Sequence, residues 1–175
     1  MPDISLNTDE FIRNLYEAEW VVLLPGIRGC SGVCGLPPGL DTNETMGIDL
    51  IDMDPGTAFP LHTHPGAHIL FILEGEGTVT IGEEVYVTRP GDCYFIPGDL
   101  SHGVGATQHH KLLAIGFPHR GIKNPQRMDI VDTQYLQEHP MVAKIYSGDN
   151  VEERRTFLAK FQKDSILPNS ADSNE

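Results

Sequence analysis

The chain has 175 residues, a formal charge of −13 from 12 Lys and Arg against 25 Asp and Glu, and a hydrophobic fraction of 39%. That length suits one packed domain with decorated ends, and acidity spread along the chain repels a phosphate backbone, which argues against a nucleic-acid partner. No apolar run approaches the roughly 20 residues a membrane span needs, the opening MPDISLNTDE has neither a basic start nor an apolar middle, and three loosely spaced cysteines make no disulfide framework; the expectation is a cytoplasmic protein with no membrane partner.

In chain order, residues 7–19 (NTDEFIRNLYEAE) place Phe11, Ile12, Leu15 and Tyr16 at helical spacing behind Asn7, with Glu10 in capping register, and predict a short N-terminal helix. From Trp20 the pattern changes to short apolar runs, WVVLL, GIDLIDM, HILFIL, GTVTI, EVYVT, CYFI and KLLAIGF, separated by PG, DPG, EGEG, RPGD and IPGD. Those separators are turn chemistry, and seven or more short strands at this spacing predict an antiparallel sandwich or barrel. After Pro118 the pattern becomes helical again in DTQYLQEHP and in DNVEERRTFLAKFQK, the latter opening on Asn150 with Glu153 in capping register, before a frayed LPNSADSNE tail. The domain plan is therefore 1–44 as helix, strand and Gly/Pro-rich loop, 45–117 as β-barrel, and 118–175 as a helical extension with a tail.

The stretch from Pro25 to Gly39, dense in glycine and proline, reads as a mobile loop over a barrel mouth or against a partner, with Cys30 and Cys34 as two thiols inside it. Oligomerisation is expected as a homodimer, with this loop and the C-terminal helix near Phe157 and Phe161 as the candidate contact.

The segment HTHPGAHILFILEGEG concentrates three histidines in seven residues. Side chains alternate along a strand, so His62 and His64 face the same way with Cα atoms roughly 6–7 Å apart, close enough to share one ion. His68 has the same parity but would lie about 13 Å beyond His64 in a straight strand. A tight turn at Pro65-Gly66 folding the chain back as a hairpin brings it to the same inward face. A fourth imidazole, His102, follows the Pro-Gly turn of GDCYFIPGDLSHGV at the start of a neighbouring strand. The remaining polar candidates read as ordinary: His109 and His110 as surface residues, His119-Arg120 as solvated, and Glu74 and Glu76 as turn charges.

These residues resemble the two motifs of the cupins, the small β-barrels of the germin superfamily. Gly56, His62, His64 and Gly75 fill the first motif, and Gly91, Pro97 and His102 the second, with 15 residues between Gly75 and Gly91. The resemblance covers about residues 45–117 and implies an all-β cupin, a jelly-roll antiparallel barrel with short N- and C-terminal helices. Two departures stand out: Asp99 occupies a position where the family has glycine, and His68 the position of the family's glutamate. The implied metal ligands are His62, His64, His68 and His102.

Four neutral imidazoles leave a divalent ion its full positive charge, which favours an anionic substrate. Imidazole suits Fe, Ni or Zn over Mg and Ca. With His68 inward, Leu70 and Ile72 follow, and on the next motif strand either Tyr94 and Ile96 or Cys93 and Phe95; the pocket set is taken as Leu70, Ile72, Tyr94 and Ile96. An apolar lining round a cation fits a small organic anion or enolisable substrate better than a sugar nucleotide. The leading expectation is a mononuclear, dioxygenase-like metalloenzyme. A redox-neutral Zn or Ni lyase, isomerase or cyclase and a non-catalytic small-molecule or metal sensor are the alternatives, the last disfavoured by the lack of a visible helix-turn-helix.

Overall fold

The computed structural model describes residues 14–35 and 45–165. Most of the predicted N-terminal helix lies outside them, and its last residues, 14–18, form turns in which Leu15 packs on the core while Tyr16 faces solvent. Eleven strands follow among the described residues: β1 (Val21–Leu24), β2 (Ile27–Gly35), β3 (Met46–Met53), β4 (Ala58–Thr63), β5 (Ala67–Glu74), β6 (Gly77–Ile81), β7 (Glu84–Thr88), β8 (Cys93–Ile96), β9 (His102–Ala106), β10 (His110–Phe117) and β11 (Asp129–Ile130). They form two antiparallel sheets, ordered β1-β2-β3-β10-β5-β8 and β11-β4-β9-β6-β7. The fold is the expected all-β sandwich, and every apolar run read from the sequence holds a strand.

Alternation explains the core. Leu50, Leu70, Ile72, Ile96 and Leu112 turn inward from the first sheet and Phe59, Val79 and Val104 from the second, all buried. On β8 the inward pair is Tyr94 and Ile96, while Cys93 and Phe95 are exposed, which settles the parity left open by the sequence.

Two sequence expectations are corrected. Residues 27–35 of the supposed loop from Pro25 to Gly39 are strand β2, paired with β1 and β3, and Cys30 is fully buried in it with its Sγ 3.3 Å from the Leu15 carbonyl oxygen. The glycine that misled is there for close packing: a Cβ on Gly32 would lie 2.7 Å from the Ile48 side chain. His110 is not a surface residue but wholly buried, with Nδ1 on the Glu74 carbonyl and Nε2 accepting from Thr88, while its neighbour His109 pairs with Asp52. Phe157 and Phe161 are half-buried, each packing one side against the chain's own core.

Backbone geometry accounts for the motif glycines. Gly56, Gly75 and Gly91 have φ of 80°, 76° and 95°, in the left-handed region that L side chains avoid. Asp99 shares it at φ 62°, and its amide donates to the His64 carbonyl. Aspartate is one of the few residues that tolerates this conformation, which is how it stands in for glycine.

Beyond β10 the chain forms α1 (Thr133–Glu138), α2 (Pro140–Tyr146) and α3 (Val151–Asp164), with the Asn150 side chain capping α3 by accepting from the amides of Glu152 and Glu153. None of the described helices is long and apolar enough to cross a membrane. Arg154 fastens this extension. It is 6% exposed, and its guanidinium donates to the carbonyls of Ile145, Pro125 and Met128 and to Asp129 Oδ1. Those acceptors belong to α2 and to the 125–129 segment, so one side chain ties the last helix to the chain that runs past the barrel mouth. Arg154→Met leaves buried carbonyls unsatisfied and is expected to lower stability by about 3 kcal/mol. The exposed Arg155→Met, which loses only an ion pair to Glu152, should change it by less than about 0.5 kcal/mol. Urea midpoints of the two variants check the contrast.

Candidate metal centre

The two sheets bring the four histidines together by a route different from the hairpin. β4 pairs with β9 and β11, while β5 pairs with β10 and β8, so the Pro65-Gly66 turn carries the chain across from one sheet to the other. His68 thus approaches from the sheet opposite His62. His102 sits directly across from His62 in the β4–β9 register. Ring centroids are 4.3 Å apart for His62–His102, 4.7 Å for His64–His68, and 4.8 Å for both His64–His102 and His68–His102. His62, His64 and His102 offer nitrogen atoms all within 4.8 Å of one another, a group that could hold a metal ion. The His68 ring stands beside this trio, against His64 and His102.

Three of the rings are oriented by the backbone. Nδ1–H of His62 donates to the Pro60 carbonyl at 2.8 Å, that of His64 to Gly66 at 2.7 Å and that of His102 to Leu100 at 2.7 Å. Fixing the proton on Nδ1 leaves the Nε2 lone pair as the free ligand atom, the arrangement by which outer partners prepare metal-binding imidazoles. The Nε2 atoms of His68 and His102 are buried and have no hydrogen-bond partner. Buried polar nitrogens are rarely left so, and an ion among them satisfies the need. The donor set, all imidazole, fits a transition metal and not Mg or Ca.

Electrostatics agree. Burial, with the neighbouring rings of His102 and His64, pushes His68 down to about 2; burial, with His64 nearby, brings His102 to about 4. His62 lies well below its ordinary value for the same reasons, and His64 is lowered by burial and by the charges of Arg127 and Arg120. All four are neutral, ligand-competent rings at neutral pH.

The histidines line a cavity of about 90 Å³, below the roughly 300–1,000 Å³ of clefts for drug-sized ligands. Of the four side chains expected to line the pocket, Leu70 does so. Ile72 and Ile96 lie within the fully buried core, and Tyr94 directs its hydroxyl to Asp92, 3.4 Å away.

The cavity also gathers residues that sequence reasoning missed: Asp49, His119, Arg120 and Arg127. His119, read as solvated, has a side chain only 8% exposed and donates from Nε2 to Asp49 Oδ1 at 3.0 Å. Asp49 also accepts from Ser31 Oγ at 2.6 Å and from Arg127 Nη2 at 3.5 Å. Burial alone would raise its carboxyl, but the His119 hydrogen bond and the Arg127 charge outweigh that and hold it below the usual range. The signal for Asp49 was present as a charge in the apolar run GIDLIDM; His119, Arg120 and Arg127 lie beyond the barrel motifs and carried none.

For the ion-free protein the histidine environment has a definite pH signature. Each ring is depressed when folded but takes a proton near 6.5 when unfolded, so the unfolded chain binds more protons below that pH. Stability is therefore full above about pH 6.5 and falls as the pH drops from there toward the folded values of about 4 and about 2. Urea midpoints should be flat between about pH 7 and 8 and decline between about pH 6 and 4, with His68→Leu showing a shallower decline.

Residues 49–116 match the family model described as Cupin domain. Over 131 residues the chain is 34% identical to germin-like protein subfamily 1 member 5 of Arabidopsis thaliana, covering 64% of this chain and 55% of that one. It is 27% identical over 149 residues to quercetin 2,3-dioxygenase of Bacillus subtilis (strain 168), covering 76% and 44%. The chain thus spans about half the length of these curated relatives. Among solved structures, an RmlC-like cupin from Shewanella frigidimarina superposes with a TM-score of 0.54 at 21% identity, covering 62% of this chain and 91% of that one. KdgF from Halomonas sp. superposes at 0.51 with 21% identity, over 60% and 90%. These matches fall on the strands that carry both histidine motifs, and residues 49–116 of the chain are a cupin domain.

Proposed function

We propose that this protein is a mononuclear metalloenzyme of dioxygenase-like type acting on a small anionic or enolisable organic substrate, with His62, His64, His68 and His102 as the metal ligands and Fe, Ni or Zn as the candidate ion. The observation that carries the reading is the set of three imidazoles whose Nδ1 protons are committed to the Pro60, Gly66 and Leu100 carbonyls. In three rings whose ligand nitrogens also lie within 4.8 Å of one another, such pinning is what a ligand set needs. Similarity to a quercetin 2,3-dioxygenase supports the oxidative class, while the small cavity supports a substrate of modest size.

Bound to these rings, a transition ion supplies Lewis acidity and, where redox-active, a path for electrons to dioxygen. The chain's own residues do the rest. The backbone carbonyls hold the imidazoles in one tautomer and direction. Phe59, Leu70, Val104 and Leu112 line the cavity with apolar surface, so a bound substrate is held away from bulk water and its charge is felt more strongly.

One observation favours a redox-neutral lyase, isomerase or cyclase as the second reading. The Asp49–His119 pair opens on the same cavity, and a histidine positioned by a buried carboxylate can hold or move a proton at its ring nitrogen. His119→Asn separates the two. Loss of turnover by about a hundredfold or more with unchanged metal content marks general acid–base work; a small effect favours the oxidative route. A cytoplasmic homodimer belongs to the same proposal, and sedimentation should show a species of twice the chain mass.

The test is metal analysis of protein expressed without an affinity tag. Near-stoichiometric iron, nickel or zinc is expected, lost in the His62→Ala/His102→Ala double variant, with oxygen uptake in the iron form on small phenols, diketones and acids. Metal-free protein that gains no thermal stability on addition of any of the three ions would overturn the reading.

A further inference from the structure

We propose that Arg127, with Arg120 beside it, forms a carboxylate-binding subsite in the histidine cavity, so that the ligand of this site is a small organic monocarboxylate with an apolar body. The proposal deepens the metalloenzyme reading by naming the substrate class, and it rests on that reading only for the role of the ion.

Arg127 is the key. It lies on the segment between β10 and β11, its side chain is 15% exposed, and it lines the cavity. Its Nη2 is 3.5 Å from Asp49 Oδ2, at the limit of a hydrogen bond, while its Nη1 is buried with no hydrogen-bond partner. A guanidinium presents parallel N–H donors whose natural complement is the two oxygens of a carboxylate. Leaving a buried donor of a charged group unmade is costly, and an oxyanion entering the cavity satisfies it.

The charge count points the same way. Among the described residues Asp49 is the only carboxylate lining the cavity, and it is already shared between His119, Ser31 and Arg127. Two guanidinium groups against one carboxylate leave a local excess of positive charge in a chain whose overall balance is −13. Arg120 is exposed and, among the described residues, donates to the Gln126 carbonyl alone, 3.3 Å away, so its side chain can turn toward a ligand. Both arginines line the same cavity of about 90 Å³ as His62, His64, His68 and His102. The anion subsite and the ligand rings are thus within one small molecule's reach.

The other lining excludes competing anions. Phe59, Leu70, Val104, Leu112 and Met128 present hydrocarbon, which suits the body of an aromatic or short-chain acid. Inorganic phosphate would meet the same two guanidinium groups but would set a hydrophilic ion against this hydrocarbon wall.

The experiment is titration of metal-loaded and metal-stripped protein, followed by calorimetry, with benzoate against benzamide and pyruvate against pyruvamide, and with inorganic phosphate as a further probe. At least one acid should bind tenfold or more tightly than its amide, and more tightly than phosphate. Arg127→Met should remove that preference while metal stoichiometry is unchanged, and Arg127→Lys should restore part of it. Should Arg127→Met not fold, Arg120→Met, which gives up one exposed hydrogen bond, is expected to weaken the acid several-fold and leave the amide unaffected. Acid preference that persists in metal-stripped protein and depends on arginine sustains the subsite even if metal analysis fails. Equal binding of acid and amide in both pairs, tighter binding of phosphate, or an acid preference untouched by the arginine variants overturns it.

Discussion

The site depends on a simple constraint: an imidazole can lend a lone pair to an ion only if its proton is held elsewhere. In this chain the backbone holds it. Pro60, Gly66 and Leu100 each present a carbonyl to the Nδ1 of a histidine two positions away. Because the acceptors are main-chain groups within β4 and in the connections that lead into β5 and β9, the direction of each ring is set by the same geometry that sets the sheets. The β4–β9 register places His62 against His102, and the Pro65-Gly66 crossing delivers His64 and His68 to either side of the gap. Fold and ligand orientation are thus one problem for this sequence, with one solution.

Burial then fixes the chemistry available there. Protonating any of these rings would place a charge in the barrel interior beside other rings, so all remain neutral and their nitrogens remain basic toward a metal. The aspartate on β3 plays the complementary part. Asp49 keeps its charge because His119, Ser31 and Arg127 converge on it, and it thereby ties β2, β3 and the segment after β10 into the cavity. Arg154 anchors the far end of that segment through the Pro125 and Met128 carbonyls. The C-terminal extension is in this sense part of the site, since it holds Arg127 where the cavity needs it.

Much of this was legible beforehand, and the reasons for the rest are physical. Alternating apolar runs bounded by Pro-Gly and Gly-rich turns specified the strands, because a period of two and turn chemistry are both local. The imidazole cluster was legible because parity and the spacing of two motifs constrain faces of strands. What failed was non-local. Glycine in β2 reads as a breaker until one knows that Ile48 presses against it. The Pro65-Gly66 turn reads as a hairpin because sequence gives the bend but not which sheet the chain enters next. His119, Arg120 and Arg127 sit in a segment without periodicity, brought to the cavity by ties distant in sequence: His119 to Thr45 and Asp49 at one end, and Arg154 to the Pro125 and Met128 carbonyls at the other. His110 and His109 look alike in sequence, yet one is enclosed and the other meets solvent.

The overall acidity and the cationic cavity are reconciled by distance. A charge in water at roughly 20 Å contributes about 0.2 kcal/mol, and physiological salt, with a Debye length near 8 Å, cuts that about tenfold. Even the full net charge of −13, spread over the surface, then amounts to a few tenths of a kcal/mol at the cavity. A guanidinium at contact distance in a partly desolvated pocket is worth on the order of 4 kcal/mol. Local charge decides what binds, while net charge governs solubility and the rate of long-range encounter. An acidic protein can therefore take an anionic ligand without contradiction, provided the positive groups are few, close and screened from water, and Arg127 beside four neutral imidazoles meets those conditions.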